Sequence, residues 1–202
     1  MHLWNLKDFP VPMQWINACW LVFGLYWLVS AFNRKVTKKR ETYAQRFGYT
    51  VPLFLAFYFL FRPEAHNYPV LGMRFVPSGP TSEWLGGALA AAGVAVAIWA
   101  RWHLGSNWSG VVTLKEGHEL IRTGPYRTIR HPIYTGILLG LFGTMITIGE
   151  IRGLVALAVA WFSLYVKARR EESFLAQEFG PAFAEHQRRT GMFFPKISSS
   201  PS

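Results

Sequence analysis

Charge is scarce in this chain, and cysteine is almost absent. Of 202 residues, only 16% are Asp, Glu, Lys or Arg, against 51% hydrophobic and 16% aromatic, and the mean hydropathy is +0.17. So little charge cannot clothe a water-soluble domain of this size, and the composition is that of a membrane protein. The single Cys19 lies in an apolar run, which excludes a disulfide within the chain and leaves no thiolate set for a metal. His103, His118 and His131 are too widely spaced for a short zinc motif. There is no Walker lysine motif, no GxGxxG after a strand and no GxSxG, so phosphate-loop, Rossmann and hydrolase chemistry have nothing to stand on. Only Lys7 precedes the first apolar run, so the basic start of a cleaved signal peptide is missing and the run reads as a retained anchor.

What is present is a series of apolar segments long enough to set an all-α membrane architecture. Residues 13–32 match the roughly 20 residues needed to cross the hydrocarbon core. Residues 47–61 form a shorter segment with Pro52 near its start, and residues 84–102 carry a small-residue face of Gly86, Gly87, Ala90 and Gly93. A fourth span, 132–149, holds Gly136, Gly140 and Gly143. Glu150, Ile151 and Arg152 separate it from a fifth, 153–166, so the two read as a hairpin with the fifth span as the partner of the glycine face. Residues 167–195 follow as an amphipathic tail with Leu175, Phe179, Ala182 and Phe183 at helical spacing, broken into two helices at Gly180 and Pro181. No repeat and no second domain interrupt the chain, so residues 1–202 read as one membrane domain.

The net charge of +10 is distributed as topology rather than as a nucleic-acid footprint. If all five segments cross, seventeen of the 21 Lys and Arg fall on one side, in the stretches 34–46, 101–130 and 167–196. Lys7, Arg62, Arg74 and Arg152 fall on the other. The amino terminus is then outside, and the loop 103–131 shares the cytoplasmic face with the tail 167–195, where a site built from both can use a cytosolic cofactor.

The densest chemistry lies in that loop, in GPYRTIRHPIYTG from Gly124 to Gly136. Two prolines and two glycines shape the backbone around Tyr126, Arg127, Arg130, His131 and Tyr134, more shaping than interfacial anchoring requires. The tail adds KARREE, with Lys167, Arg170, Glu171 and Glu172. Aromatic faces for a cation, carboxylates for hydroxyl or amino groups, and donors for a carboxylate are the groups that a sulfonium cofactor such as S-adenosylmethionine needs.

In order, HELIRTGPYRTIRHPIYTG, a two-helix hairpin and REESFLAQEFGPAFAEHQRRTGMFFP resemble the isoprenylcysteine carboxyl methyltransferase and phospholipid methyltransferase superfamily of integral membrane enzymes, over roughly residues 105–195. The resemblance implies that His118, Glu119, Leu120, Ile121, Tyr126, His131, Pro132, Ile133, Tyr134 and Glu171 line S-adenosylmethionine, in a pocket closed by the carboxy-terminal segment. It also implies a basic residue, usually Arg, four positions before that glutamate to meet the acceptor carboxylate. Here that residue is Lys167, a point charge without the planar fork of Arg, with Arg170 near enough in sequence to substitute. The implied reaction is methyl transfer to a lipophilic acceptor, an isoprenylcysteine-like or other lipid carboxylate. With a phospholipid amine instead, Glu172 or His131 would serve as base. The small size implies a prokaryotic cell-membrane enzyme. Two further classes stay open: an NADPH-dependent sterol-type reductase, and a non-catalytic membrane protein that keeps the fold.

Overall fold

A computed structural model describes residues 11–32, 37–40, 42–62, 66–105, 113–115 and 120–196. Within them each of the five apolar segments is helical: α1 is Val11–Ser30, α2 Tyr43–Phe61, α3 Pro80–Leu104, α4 Pro132–Ile148 and α5 Ile151–Phe179. A sixth helix, α6, is Pro181–Arg189, and a 3-10 turn spans Gly124–Arg127. Among the described residues the expectation of an all-helical chain holds apart from one antiparallel ribbon, β1 Thr37–Arg40 with β2 Thr113–Lys115. Neither strand shows a period-2 pattern, and their pairing joins segments far apart in sequence, so local reading has no access to it. By length and composition α3 and α5 are able to cross a membrane, while α4 is a shorter apolar helix.

Start and stop signals explain the helix ends. Thr42 accepts from the Gln45 amide while the Gln45 side chain accepts from the Thr42 amide, a reciprocal cap on α2. Proline occupies the first turn of α3, α4 and α6, where its missing N–H is no loss. At Gly180 the backbone turns to φ +48°, ending α5 where the sequence places the break. The tail, however, does not begin as a separate helix after Val166. The fifth span and residues 167–179 are one uninterrupted helix, so Lys167, Arg170, Glu171 and Glu172 are rigidly coupled to it.

The glycine face of α4 packs against α3, not against α5 as its sequence neighbourhood suggests. A Cβ added to Gly93 would lie 2.2 Å from the Gly140 amide nitrogen, and one added to Gly143 would lie 2.4 Å from the Gly86 carbonyl oxygen. The two small-residue faces are complementary, and only hydrogen at these positions lets the backbones touch. Packing therefore follows surface shape rather than connectivity, and α5 spends its main contact on α2. On α1, Trp20 donates its indole N–H to Thr144 Oγ1 at 3.1 Å and joins Phe57 and Phe61 of α2 edge-on. The outer faces keep Trp15, Leu25, Phe54, Leu154 and Phe162 exposed, a belt that suits lipid and not water.

The bundle separates two polar ends. At one, the buried Glu150 accepts from Arg152 Nε at 2.7 Å and pairs with His66 at 3.0 Å, fastening the loop around Met73 to the α4–α5 turn. The other end is built from the 3-10 turn, the start of α4, the far half of α5, α6 and residues 190–193.

Candidate functional site

At that second end the chain reverses tightly. Gly124 takes φ +56° against the His103 ring, whose Nε2 lies 2.8 Å from Thr123 Oγ1. Pro125 sits second in the 3-10 turn, and Pro132 starts α4 with His131 at its amino-terminal boundary. Residues 190–193 return across this point. The amides of Arg130 and His131 donate to the Gly191 and Met192 carbonyls at 2.9 and 3.0 Å, and Thr135 Oγ1 donates to the Phe193 carbonyl at 2.7 Å. Arg130 Nη1 also reaches the Thr190 carbonyl at 2.5 Å.

The His131 imidazole sits between two carboxylates from adjacent residues of α5. Its Nδ1 lies 3.5 Å from Glu171 Oε2, and its Nε2 lies 3.3 Å from Glu172 Oε1. Glu172 accepts further from Arg130 Nε at 2.7 Å and from Gln187 Nε2 at 3.1 Å. Tyr134 donates its hydroxyl to Glu171 Oε1 at 2.6 Å, and its ring stacks on His131 with centroids 5.3 Å apart and planes within 1°. Phe193 closes the other side edge-on to both rings. Lys167, one turn before Glu171, holds its ammonium 5.4 Å from the Tyr134 ring centroid and 5.6 Å from that of Tyr49 on α2. The Arg170 guanidinium lies over Tyr49 and donates to the Gln45 carbonyl.

Burial and charge act against each other here, past the apolar part of α5. Burial by itself pushes the His131 imidazole toward its neutral form, but hydrogen bonds and charge from Glu171 and Glu172 outweigh it and raise its affinity for a proton. Burial likewise works to raise the two carboxylates. Hydrogen bonds from His131 and Arg130 hold Glu172 down at about 2, and His131, Lys167 and Tyr134 lower Glu171. The pair is an acceptor set around an imidazole whose affinity for a proton it raises. Glu172 is sealed, with 5% of its side chain exposed, whereas Glu171 keeps 23% open. Glu171 is therefore the member that an incoming hydroxyl or amino group can reach.

Of the residues singled out from sequence, His131, Tyr134, Glu171 and Glu172 are in direct contact, with Lys167 beside them. Pro132 and Ile133 are buried in the packing of the α4 start. Ile121 packs on the same cluster and Leu120 is half-buried next to it. Tyr126 is buried behind the site, donating to the Ala100 carbonyl at 3.4 Å, while burial and the nearby Glu171 charge push its hydroxyl proton loss upward. Arg170 is committed to the start of α2. His118 and Glu119 lie outside the described residues. Gln187 and Phe193 join from the carboxy-terminal segment expected to close the pocket, though neither was singled out, Tyr49 joins from a segment that carried no site signal, and Arg130 enters through a partner, Glu172, that spacing cannot identify. Among the described residues no three His, Cys, Asp or Glu side chains group to hold a metal.

The model of the phospholipid methyltransferase family matches residues 81–182. The cobalt-zinc-cadmium resistance protein CzcN of Cupriavidus metallidurans is 36% identical over 97 residues, covering 47% of this chain and 44% of its own. Protein-S-isoprenylcysteine O-methyltransferase B of Arabidopsis thaliana is 31% identical over 85 residues, covering 42% and 43%. The chain thus spans about half the length of the curated relatives it matches. A solved structure of the eukaryotic intramembrane Ras methyltransferase, isoprenylcysteine carboxyl methyltransferase, superposes with a TM-score of 0.55 at 24% identity, over 74% of this chain and 53% of that one, which shows a shared fold.

Proposed function

We propose, for a chain that belongs to the phospholipid methyltransferase family, that it transfers a methyl group from S-adenosylmethionine to a lipophilic carboxylate reaching the site laterally from the bilayer. The observation that carries this reading is the His131 imidazole held between Glu171 and Glu172 with Tyr134 stacked on it. The donor set fits the cofactor: Glu171 is ionised and open on one side, and the aromatic faces of His131, Tyr134 and Phe193 line the same corner. Glu171 would hold hydroxyl or amino groups, with Leu120, Ile121, Pro132, Ile133 and the more distant Tyr126 forming the apolar wall behind. His118 and Glu119 are carried only by the family resemblance.

S-adenosylmethionine supplies an electrophilic methyl group when bound. A carboxylate acceptor is already a nucleophile, so the chain has to supply position, alignment and exclusion of water. Lys167 provides the positive charge on the acceptor side, with Arg170 fixing the start of α2 next to it. An amine acceptor would first have to lose a proton, and Glu172, held at about 2 by Arg130 and His131, is a weak base for that task. Glu172 then serves to fix His131, and the Lys167 ammonium beside the cluster, which would repel a cationic amine, favours the lipid carboxylate over the phospholipid amine. The same reading includes five crossings and an exterior amino terminus, motivated by the basic-residue asymmetry, and a prokaryotic cell membrane, carried only by the family resemblance.

Calorimetric titration of the detergent-solubilised protein with S-adenosylhomocysteine tests the cofactor assignment. The wild-type chain is expected to bind, Glu171→Gln and Tyr134→Phe to bind about tenfold or more weakly for loss of a charge-assisted contact, and Arg189→Gln, with 77% of its side chain exposed, to match wild type. Absence of binding, or one affinity for all four proteins, would overturn it. Binding of NADPH in its place would return the sterol-type reductase reading.

A further inference from the structure

Tyr49 lies on α2, before residues 81–182 that match the family, yet its ring meets the cation end of the site. It is buried, with 3% exposure, in a helix whose other large side chains mostly face outward. Lys167 Nζ is 5.6 Å from its centroid and 5.4 Å from that of Tyr134, so the ammonium is held by two aromatic faces from two different helices. Arg170, one turn further along α5, lies 5.7 Å from the same Tyr49 ring and fastens to the Gln45 carbonyl in the first turn of α2. Lys167 in turn lowers Glu171, the open carboxylate of the cluster.

A lysine has four rotatable bonds and no planar fork, so its charge has no fixed address unless something else supplies one. Two ring faces supply it, since each attracts the ammonium most strongly over its centre. We propose that Tyr49 is a positioning residue for the acceptor: together with Tyr134 it fixes the Lys167 ammonium beside Glu171, so that α2 completes a site otherwise carried by the family-matched half. This rests on the reading of Lys167 as the partner of an acceptor carboxylate. Acceptor affinity then depends on α2 more strongly than cofactor affinity, which Glu171 and Tyr134 carry directly.

The test uses the full chain in detergent, with Tyr49→Leu, Tyr49→Phe and Lys167→Met, a prenylcysteine analogue as acceptor and S-adenosylhomocysteine as cofactor probe. Tyr49→Leu is expected to raise the acceptor KM about five- to tenfold, the loss of one desolvated cation–aromatic contact, with kcat and S-adenosylhomocysteine affinity within about twofold of wild type. Tyr49→Phe keeps the ring and should restore most of the KM, and Tyr49→Leu added to Lys167→Met should change KM no further. An unchanged KM in Tyr49→Leu, an equal loss in Tyr49→Phe, or a parallel fall in S-adenosylhomocysteine affinity would overturn the proposal. If wild type binds S-adenosylhomocysteine but methylates no carboxylate, the functional reading fails separately. Acylation of Lys167, followed by mass spectrometry, then decides the positioning claim: slow in wild type and Tyr49→Phe and several-fold faster in Tyr49→Leu supports it, and equal rates in all three overturn it.

Discussion

Arg130 makes a buried Glu172 tolerable. The pair is 2.7 Å apart with 12% and 5% of the side chains exposed, and removing one member leaves the other as an uncompensated charge. Arg130→Met is therefore expected to cost about 3–5 kcal/mol, while Glu172→Gln, which removes the charge and keeps an acceptor, costs less. Thermal unfolding in detergent orders the two. The same cluster sets a pH window. Glu172 falls from 4.5 to about 2 on folding, so its stabilisation is present above pH 4.5 and drains away as pH drops toward 2, by at most about 3 kcal/mol. His131 is raised above 6.5, so its contribution is complete below pH 6.5 and is lost as pH climbs through the raised value. The unfolding midpoint should be highest between pH 4.5 and 6.5 and flatten in His131→Phe combined with Glu172→Gln. A midpoint independent of pH in wild type would contradict the coupling. At this scale the motif residues His131, Tyr134, Glu171 and Glu172 are legible because they are crowded into two short stretches. The roles of Arg130, Gln187 and Phe193 are not, since they depend on residues 190–193 folding back over the start of α4, a contact with no local pattern.

Among helices, the decisive contact is α3 on α4, where backbones meet without side chains between them. Gly93→Val and Gly143→Val should each separate the pair and cost about 1–3 kcal/mol or more, because the obstacles are backbone atoms that cannot rotate away. Gly24→Ala on α1, with nothing within 4 Å of the added methyl, should be neutral or gain up to about 1 kcal/mol from helix propensity. Equal effects at all three positions, measured by thermal unfolding, would argue that the close approach is unimportant. Element existence was readable from apolar run length, and the Gly180–Pro181 break from its residue types. The partner of the glycine face was not, because small residues announce a close approach without saying to which helix. The β1–β2 ribbon was invisible for the related reason that its register is set across the fold.

The molecule as a whole is polarised, with the Glu150 clasp at one end and the His131 cluster at the other. The seventeen-to-four split of basic residues predicts that the His131 end faces the cytoplasm, and that topology has a direct check. Reporter fusions at Asn67 and at Ser198 should report opposite sides of the membrane, the second cytoplasmic. The same side for both would mean that an odd number of crossings does not separate them. The central claim concerns chemistry, and one measurement reaches it most directly. Purified protein in liposomes containing both a prenylcysteine analogue and an aminophospholipid is incubated with methyl-labelled S-adenosylmethionine, and the lipids are analysed by mass spectrometry. The expected result is label on the carboxylate as a base-labile methyl ester, reduced about tenfold or more at subsaturating cofactor by Glu171→Gln and reduced by Lys167→Met. Label on the amine, insensitive to Lys167→Met, or no label on either lipid, would contradict it.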